Sequence, residues 1–211
     1  MPGTDQPQRA AVTMRIGFIG AGAIAQASAT AFLRGGHEVV FSNSRGPGSL
    51  SSLVEHFGPR SSAGTVAEAA QHDVVLLSVP WRSIPGAVAG LGPWNDRIVI
   101  DTNNPLQAPD FVPADLHGST SSEVVQDLLP GARVVKTLNT WRPALLAADP
   151  HREGGRRVQF VSGDAPEARA VVSRLLESAG FAVIDLGGLA RGGALQQFPG
   201  GPLPTLDLVR F

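Results

Sequence analysis

Short apolar runs alternate with stretches of helical periodicity from Met14 onward. This alternation is typical of parallel strands joined by crossover helices, because strands covered on both faces read as continuous apolar runs. The pattern predicts strands at Arg15–Ile19, Glu38–Ser42, Val74–Val79, Arg97–Asp101 and Ala132–Leu138, with a weaker one near Pro59–Ser61. Helices are predicted at Ala23–Arg34, Gly48–Phe57, Val66–Ala70, Ser83–Leu91 and Ser122–Leu129. We therefore expect a doubly wound α/β fold with a mostly parallel sheet.

The composition changes after Trp141, where the polar segment "LLAADPHREGGRR" reads as a loop. Beyond it, "RVQFVSGD" predicts another strand, and "DAPEARAVVSRLLESAG" predicts a helix with Asp164 as N-cap, Pro166 in the first turn and Gly180 as C-cap. A last strand is predicted at Phe181–Leu186, before a Gly/Pro-rich tail that is apolar enough to pack against the core. We therefore expect a core at residues 14–142 and, at 143–211, a small βαβ extension with this tail.

The amino-terminal "MPGTDQPQRAAVT" ends directly before Met14 and the first predicted strand, so it is either an artefact of the assigned start or a tail of no fixed structure. It also lacks the charged-then-apolar order of a signal peptide. We expect residues 1–13 to be a disordered leader, and we expect the protein to be cytoplasmic.

The rest of the composition narrows the choice of ligands. The formal net charge is −1 with both signs spread along the chain, and no apolar run approaches the roughly 20 residues of a bilayer span, so neither nucleic acid nor a membrane is expected as a partner. The chain has no cysteine, which excludes disulfides and thiolate metal sites. The histidines show no pair at metal-ligand spacing, so we expect no metal and assign them to surface or loop positions: His37, His56, His72, His117 and His151. A small molecule is the expected ligand.

The segment "IGFIGAGAIA" contains a G-x-G-x-x-A version of the dinucleotide fingerprint between a predicted strand and a predicted helix. In this motif Gly20 permits the tight turn, Gly22 lets the backbone approach a pyrophosphate, and Ala25 keeps the helix close to the strand. The free N–H groups at the start of the helix then face the anion. The alternative is a tight strand-to-helix turn without a ligand. With the order of elements, the motif predicts a Rossmann-type fold.

The end of the second predicted strand indicates which dinucleotide binds. NAD sites place an acidic residue there to accept hydrogen bonds from the ribose 2′-hydroxyl, but this chain has Asn43, Ser44 and Arg45. Asn43 and Ser44 can donate to phosphate oxygens, and Arg45 adds a planar, permanently charged fork. The segment therefore predicts NADP(H), although the same residue types also occur in ordinary polar turns.

Spaced segments along nearly the whole chain resemble the NADP-dependent oxidoreductases of the coenzyme F420 type and their bacterial dinucleotide-binding relatives. They are "IGFIGAGAIA", "HEVVFSNSRGP", "DVVLLSVPW", "DTNNPL", "VVKTLNTW", "FVSGDAPEA" and "DLGGLARGGALQQFPGGPL". The resemblance implies hydride transfer between the nicotinamide ring of NADP and a second flat ring, either coenzyme F420 or a flavin. Such chemistry requires few catalytic side chains, because the cofactor itself is the reactive group.

The resemblance also implies positions for the cofactor. The pyrophosphate would lie at Gly20, Ala21, Gly22, Ala23 and Ile24, and the 2′-phosphate at Asn43, Ser44 and Arg45. The adenine or nicotinamide side would be covered by Val79, Pro80 and Trp81. The nicotinamide would be bordered by Leu138, Asn139 and Thr140, with Asn139 as a partner for its carboxamide.

The catalytic residues stay unknown at this stage, and Lys136 and Asn139 are the candidates. Lys136 is the only lysine, in an otherwise apolar strand. It is either an acid toward a carbonyl or imine, or an ion-paired or snorkelling residue at the sheet edge. Asp101, Asn103 and Asn104 either orient a substrate or form an Asx turn. The tryptophans Trp81, Trp94 and Trp141 either stack on a flat substrate or pack in the interior.

Three functions remain open from the sequence. The first is an NADPH-dependent oxidoreductase with a flavin-like or deazaflavin acceptor. The second is an NADPH-dependent reductase of a small carbonyl or imine, which needs a proton donor such as Lys136. The third is a nucleotide-binding sensor or subunit without turnover, with the tail at Gly187–Pro204 as its interaction surface. We expect a homodimer in which the tail shapes a pocket with a second copy.

Overall fold

A computed structural model of the protein describes residues 13–211. In its first part, strands and helices alternate: β1 (Arg15–Ile19), α1 (Ala23–Arg34), β2 (Glu38–Ser42), α2 (Ser51–Phe57), β3 (Ser61–Ala63), α3 (Val66–Ala69), β4 (Val74–Leu77), α4 (Ile84–Val88) and β5 (Ile98–Asp101). The middle part contains β6 (Leu106–Gln107), β7 (Val112–Pro113), α5 (Ser121–Leu128), β8 (Arg133–Lys136) and α6 (Pro143–Ala147). The last part contains β9 (His151–Arg152), β10 (Gly155–Val161), α7 (Pro166–Ser178), β11 (Ala182–Asp185), α8 (Ala194–Gln196) and β12 (Val209–Arg210).

Six strands form a parallel sheet in the order β3-β2-β1-β4-β5-β8. The order reverses between β1 and β4, because the chain builds outward from β1 in one direction and then in the other. This is the strand order of the doubly wound, Rossmann-type fold, which confirms the predicted fold class. The point of reversal leaves a crevice at the carboxyl ends of the strands, where such folds bind their ligands.

The central strands are apolar because helices cover both faces of the sheet. The residues of β4 and β5 are all buried. On one face, Phe18 packs edge-on against Phe32 of α1 and Phe41 of β2, with ring centroids 6.1 and 5.3 Å away. These contacts hold the last turn of α1 against the sheet.

The C-terminal extension continues the sheet rather than standing apart from it. Strand β10, helix α7 and strand β11 form the predicted βαβ unit, with β10 and β11 parallel. An antiparallel bridge between Lys136 and Ser162 joins this unit to β8. Helix α7 packs against α1, and the buried side chains of both helices belong to one hydrophobic cluster. The boundary near residue 142 therefore marks a change in topology within a shared core.

The tail packs back on this core, in agreement with its apolar composition. Residues 189–193 form a π-helical turn that leads directly into α8, and Leu189 and Gln196 are fully buried. Among residues 13–211, no helix combines the length and apolar character that a bilayer crossing needs. Residues 1–12 of the predicted leader lie outside the described residues.

Several predicted boundaries need correction. The helix predicted from Gly48 begins as a 3-10 turn at Pro47–Leu50, and the weak third strand lies at Ser61–Ala63 instead of Pro59–Ser61. Asp164 is not the N-cap of α7, because that position belongs to Ala165 and the Asp164 carboxylate instead accepts a hydrogen bond from the N–H of Leu189 at 2.9 Å. The C-cap is Ala179, and Gly180 follows it. The local sequence predicts the helix α7 correctly. Its expected N-cap residue, Asp164, binds the tail instead of the helix.

His37 lies in the turn before β2, one of the surface or loop positions expected for the histidines, but its side chain is buried. Its Nδ1 accepts the N–H of Met14 at 3.1 Å, so Nε2 carries the proton and donates to Ser178 Oγ at 2.8 Å. Ser178 Oγ in turn donates to the carbonyl of Leu175. Burial, and then the positive charge of Arg60, hold the pKa of His37 below its usual value.

The lowered pKa of the buried His37 predicts a loss of stability in mild acid. In the unfolded chain His37 binds a proton near its ordinary pKa of 6.5, whereas in the folded chain it binds a proton only at lower pH. The free energy of unfolding should therefore fall as the pH drops below about 6.5 toward the lowered pKa of the folded state. Urea unfolding at several pH values measures this. A His37→Gln variant, which cannot titrate, should lose less stability over the same interval, and equal losses in both proteins would contradict this role.

Candidate cofactor and active site

A cavity of about 880 Å³ opens at the carboxyl ends of β1, β2 and β4, at the point where the strand order reverses. Its wall consists of Ile19, Gly20, Ala21, Gly22, Asn43, Ser44, Arg45, Val66, Ser78, Val79, Pro80, Arg82, Ser83, Gly86, Ala87, Ala89 and Leu91. The charged groups in this described lining are two arginines, and it includes no carboxylate. The cavity therefore suits an anionic ligand.

The turn between β1 and α1 forms the floor of the cavity. Gly20 has φ +110°, a conformation that disfavours side chains, and Gly22 is the N-cap of α1. The first helical bond of α1 runs from the N–H of Gln26 to the carbonyl of Gly22, so the earlier N–H groups of the first turn have no partner within the helix. With no acidic residue in that turn, these donors and the helix dipole favour a bound pyrophosphate.

The loop after β2 contributes the polar side of the cavity. Asn43, Ser44 and Arg45, for which binding of a 2′-phosphate stays a prediction, all lie in its wall. Asn43 shapes this loop, since its Oδ1 accepts the N–H of Arg45 at 2.9 Å and the hydroxyl of Ser49 at 3.2 Å. The Arg45 side chain is exposed and can reach an anion over the end of β2.

The opposite side of the cavity is apolar. Val66 of α3, Ala87 of α4 and Leu91 after it face Val79 and Pro80 in the loop after β4. A flat adenine ring fits between such walls, next to the polar loop that would hold its ribose phosphate. The cavity thus matches the adenosine half of a dinucleotide.

The remaining predicted cofactor residues lie outside the cavity wall. Ala23 and Ile24 belong to the first turn of α1 behind it. Trp81 lines a separate apolar groove of about 220 Å³ between α4 and α5. Leu138 and Thr140 are buried in the loop after β8. The structure therefore brings the glycine loop, the polar loop, Val79 and Pro80 together in one cavity wall. The other predicted cofactor residues lie outside this wall.

Asn139 is hydrogen-bonded within the protein. Its Nδ2 donates to Asn104 Oδ1 at 2.9 Å and to the carbonyl of Gln196 at 2.7 Å, which uses both amide protons. Asn104 Nδ2 returns a bond to the Asn139 carbonyl at 2.9 Å. The amide donors of Asn139 therefore hold two loops together, and its Oδ1, which accepts one long bond of 3.5 Å from Gln196 Nε2, is the atom left for the nicotinamide carboxamide. The contact with the carboxamide stays a prediction.

Lys136 is buried and takes part in an ion pair. Its Nζ lies 3.2 Å from Asp101 Oδ2 and 3.2 Å from Ser121 Oγ, and it also donates to the carbonyl of Asn103. Burial lowers the pKa of Lys136, and the Asp101 carboxylate opposes this shift. The pairing with Asp101 agrees with the ion-paired interpretation, and the side chain cannot snorkel because it has no exposed surface. Its role as an acid toward a carbonyl or imine stays a prediction.

Asp101, Asn103 and Asn104 connect this ion pair to the cavity. Asn103 donates its own N–H to Asp101 Oδ1 at 2.9 Å, which is the Asx arrangement, and its Oδ1 accepts the N–H of Val79 at 3.1 Å. The cavity wall at Val79 is thereby tied to the buried charges. Trp94 and Trp141 are both buried; Trp141 donates to the carbonyl of Leu206 at 2.7 Å, so they pack in the interior.

Sequence reasoning missed Gln196, which is the centre of a buried polar cluster. Its Oε1 accepts the hydroxyl of Ser162 at 2.5 Å, and its Nε2 donates to the carbonyls of Lys136 and Phe160 at 3.3 and 3.2 Å. Its partners lie at least 34 residues away in the chain, so no local pattern reveals the role. Within residues 13–211, no three side chains come together as metal ligands.

Comparisons with known proteins agree with this geometry. The family described as "NADP oxidoreductase coenzyme F420-dependent" matches residues 15–105. A candidate F420-dependent NADP reductase from Arthrobacter is 30% identical, with a TM-score of 0.70, over 83% of this chain and 86% of that chain. The protein belongs to the coenzyme F420-dependent NADP oxidoreductase family. A hypothetical protein from Sinorhizobium meliloti is 44% identical, with a TM-score of 0.88, over 95% of this chain and 97% of that chain.

Membership of the F420-dependent NADP oxidoreductase family makes the protein an NADP-dependent oxidoreductase. A more distant similarity, to an imine reductase from Aspergillus terreus, has 19% identity and a TM-score of 0.61 over 87% of this chain and 58% of that chain, and it shows the fold alone. None of the curated proteins compared with the chain matches it. The cavity at the ends of β1, β2 and β4, which is lined by the glycine loop and two arginines, is the candidate site for the NADP of this family.

Proposed function

We propose that the protein transfers a hydride between NADPH and a second flat ring, either coenzyme F420 or a flavin. One observation carries this proposal: the side chains near the site that could donate a proton are already bound to other groups of the protein. Lys136 and Asp101, at the carboxyl ends of β8 and β5, are buried and paired with each other. Hydride transfer between two rings needs no such donor, because orientation and exclusion of water suffice.

The same observation gives no support to the reduction of a small carbonyl or imine. That reaction needs a proton donor in contact with the substrate, and the Nζ of Lys136 already has three partners inside the protein. A sensor without turnover is also less well supported, because the tail that would serve as its interaction surface is held on the core by buried contacts of Leu189 and Gln196.

Titration and turnover of the wild-type protein test the proposal. Calorimetric titration should show much tighter binding of NADPH than of NADH. Absorbance should then show NADPH oxidation with coenzyme F420, with flavin mononucleotide, or with both. NADPH binding without oxidation by either acceptor would overturn the proposed function while leaving the cofactor assignment in place. We further propose that the active form is a homodimer, which sedimentation analysis would test.

Arg45 tests the assignment of the 2′-phosphate. Arg45→Ala should weaken NADPH binding by about 1.5–3 kcal/mol and barely change NADH binding, because NADH lacks the phosphate that the guanidinium would bind. Calorimetry with both nucleotides measures the two losses. Arg82→Ala is the matched control, since Arg82 also lines the cavity but is hydrogen-bonded to Gln107 on the far side. Equal losses for NADPH and NADH in Arg45→Ala would rule out the assignment.

A further inference from the structure

The tail is fixed along the carboxyl edge of β5 and β8 by buried amides. The carbonyl of Gln196 accepts from Asn139, and Gln197 Oε1 accepts the N–H of Ser121 at 2.8 Å. The next residue, Phe198, donates its N–H to Asn104 Oδ1 at 3.2 Å. Three consecutive residues of the tail are therefore tied to the loops after β8 and β5 and to the start of α5.

Phe198 differs from its neighbours in one respect. Gln196 is fully buried, whereas the side chain of Phe198 is 41% exposed. The backbone is thus held in place while an aromatic ring stays open to solvent. An aromatic group presented on a fixed backbone loses little conformational entropy when a flat partner stacks on it.

The position of Phe198 relative to the cavity follows from a short series of contacts. Val79 lines the cavity and donates its N–H to Asn103. Asn104 follows Asn103 in the chain and accepts the N–H of Phe198. Phe198 consequently lies on the same edge of the sheet as the cavity, on the side of β5 and β8.

A dinucleotide that fills the cavity with its adenosine half extends in this direction. Folds of this type bind the two halves of the dinucleotide on the two sides of the strand reversal. The cavity wall runs from the loops after β1 and β2 across to the loop after β4 and to α4, and its described lining includes no residue of β5, of β8 or of the segments that follow them. The nicotinamide would then lie toward β5 and β8. Phe198 is the exposed aromatic side chain that the tail brings to that end.

We propose that the ring of Phe198 is the surface against which the second, flat substrate stacks, so that the tail supplies one side of the acceptor site. This inference rests on the proposed function. It names the chemical class of the acceptor as a planar heteroaromatic ring, because an aromatic side chain binds such a ring through stacking rather than through specific hydrogen bonds.

Removal of the ring tests the proposal. Phe198→Ala should raise the KM for coenzyme F420 or flavin mononucleotide by about 5- to 100-fold, the range expected for the loss of one stacking contact. The dissociation constant of NADPH, measured by calorimetry, should not change. Phe198→Trp should keep most of the acceptor affinity, since it retains an aromatic face. Thermal unfolding of each variant should match the wild type, because the ring is partly exposed.

A matched control separates stacking from a general effect of losing an exposed aromatic. Phe111 is 66% exposed and lies in the turn between β6 and β7, so Phe111→Ala should leave the KM of the acceptor unchanged. An unchanged KM in Phe198→Ala, or equal changes in the two variants, would overturn the role of Phe198 while wild-type turnover still supported the function. If the wild type oxidised NADPH with neither acceptor, the proposed function and the role of Phe198 would both be wrong.

Discussion

Replacing Lys136 by methionine is expected to lower the free energy of unfolding by about 3–5 kcal/mol. The substitution keeps much of the apolar stem but removes the cation that compensates Asp101, whose side chain is fully buried. Asp101 would retain hydrogen bonds from Ser122 at 2.6 Å and from Asn103 at 2.9 Å, but its charge would have no counterion in a medium of low dielectric constant. Urea unfolding of the two proteins measures the difference.

The double variant Lys136→Met with Asp101→Asn is the control for this prediction. It removes both charges, so it should recover part of the stability that the single variant loses. The single variant, studied at a temperature where it stays folded, should still bind NADPH, because Lys136 lies outside the cavity wall. A stable Lys136→Met protein that bound NADPH but had lost turnover would instead support the carbonyl or imine reductase, with Lys136 as its acid.

The first βαβ half of the fold could be predicted from the sequence because its signals are local. Strands β1 and β2 and helix α1 have the predicted bounds, since an apolar run, a glycine turn and a helical period follow one another without interruption. The same locality explains why the glycine loop and the polar loop at Asn43 to Arg45 lie together in one cavity. Both follow strands that are neighbours in the sheet.

The second half of the site could not be predicted, because its residues meet through the tail. Asn139 reads as a free polar residue at a strand end, and only its contacts with Asn104 and Gln196, 35 and 57 residues away, show that its donors are used. Lys136 reads equally well as an acid or as an edge residue until Asp101 is seen beside it. Side chains with such distant partners carry no periodic or spacing signal. The resemblance therefore placed Asn139 at the nicotinamide, and the position of Lys136 in an apolar strand suggested an acid, before their contacts within the protein were known.

The two glycines of the fingerprint are expected to respond differently to alanine. Gly20→Ala should lower the free energy of unfolding by about 2–5 kcal/mol, because φ is +110° and a Cβ would lie 2.0 Å from the carbonyl oxygen of Ser78. Gly22→Ala should cost about 1 kcal/mol or less, since Gly22 has φ −76° and open space around its Cβ position. Urea unfolding of the two variants measures the contrast.

NADPH affinity should distinguish the same two variants in the opposite way. Gly22→Ala, which loses less stability, should lose affinity for the cofactor. The open space at Gly22 faces the cavity, so its added methyl group would occupy the place where a pyrophosphate approaches the backbone, and NADPH affinity should fall about tenfold or more in a protein that stays folded. NADH should lose as much, because the pyrophosphate is common to both nucleotides, in contrast to Arg45→Ala. A Gly22→Ala protein that bound NADPH as tightly as the wild type would show that the dinucleotide does not approach this turn. The glycine at position 22 would then serve only the start of α1.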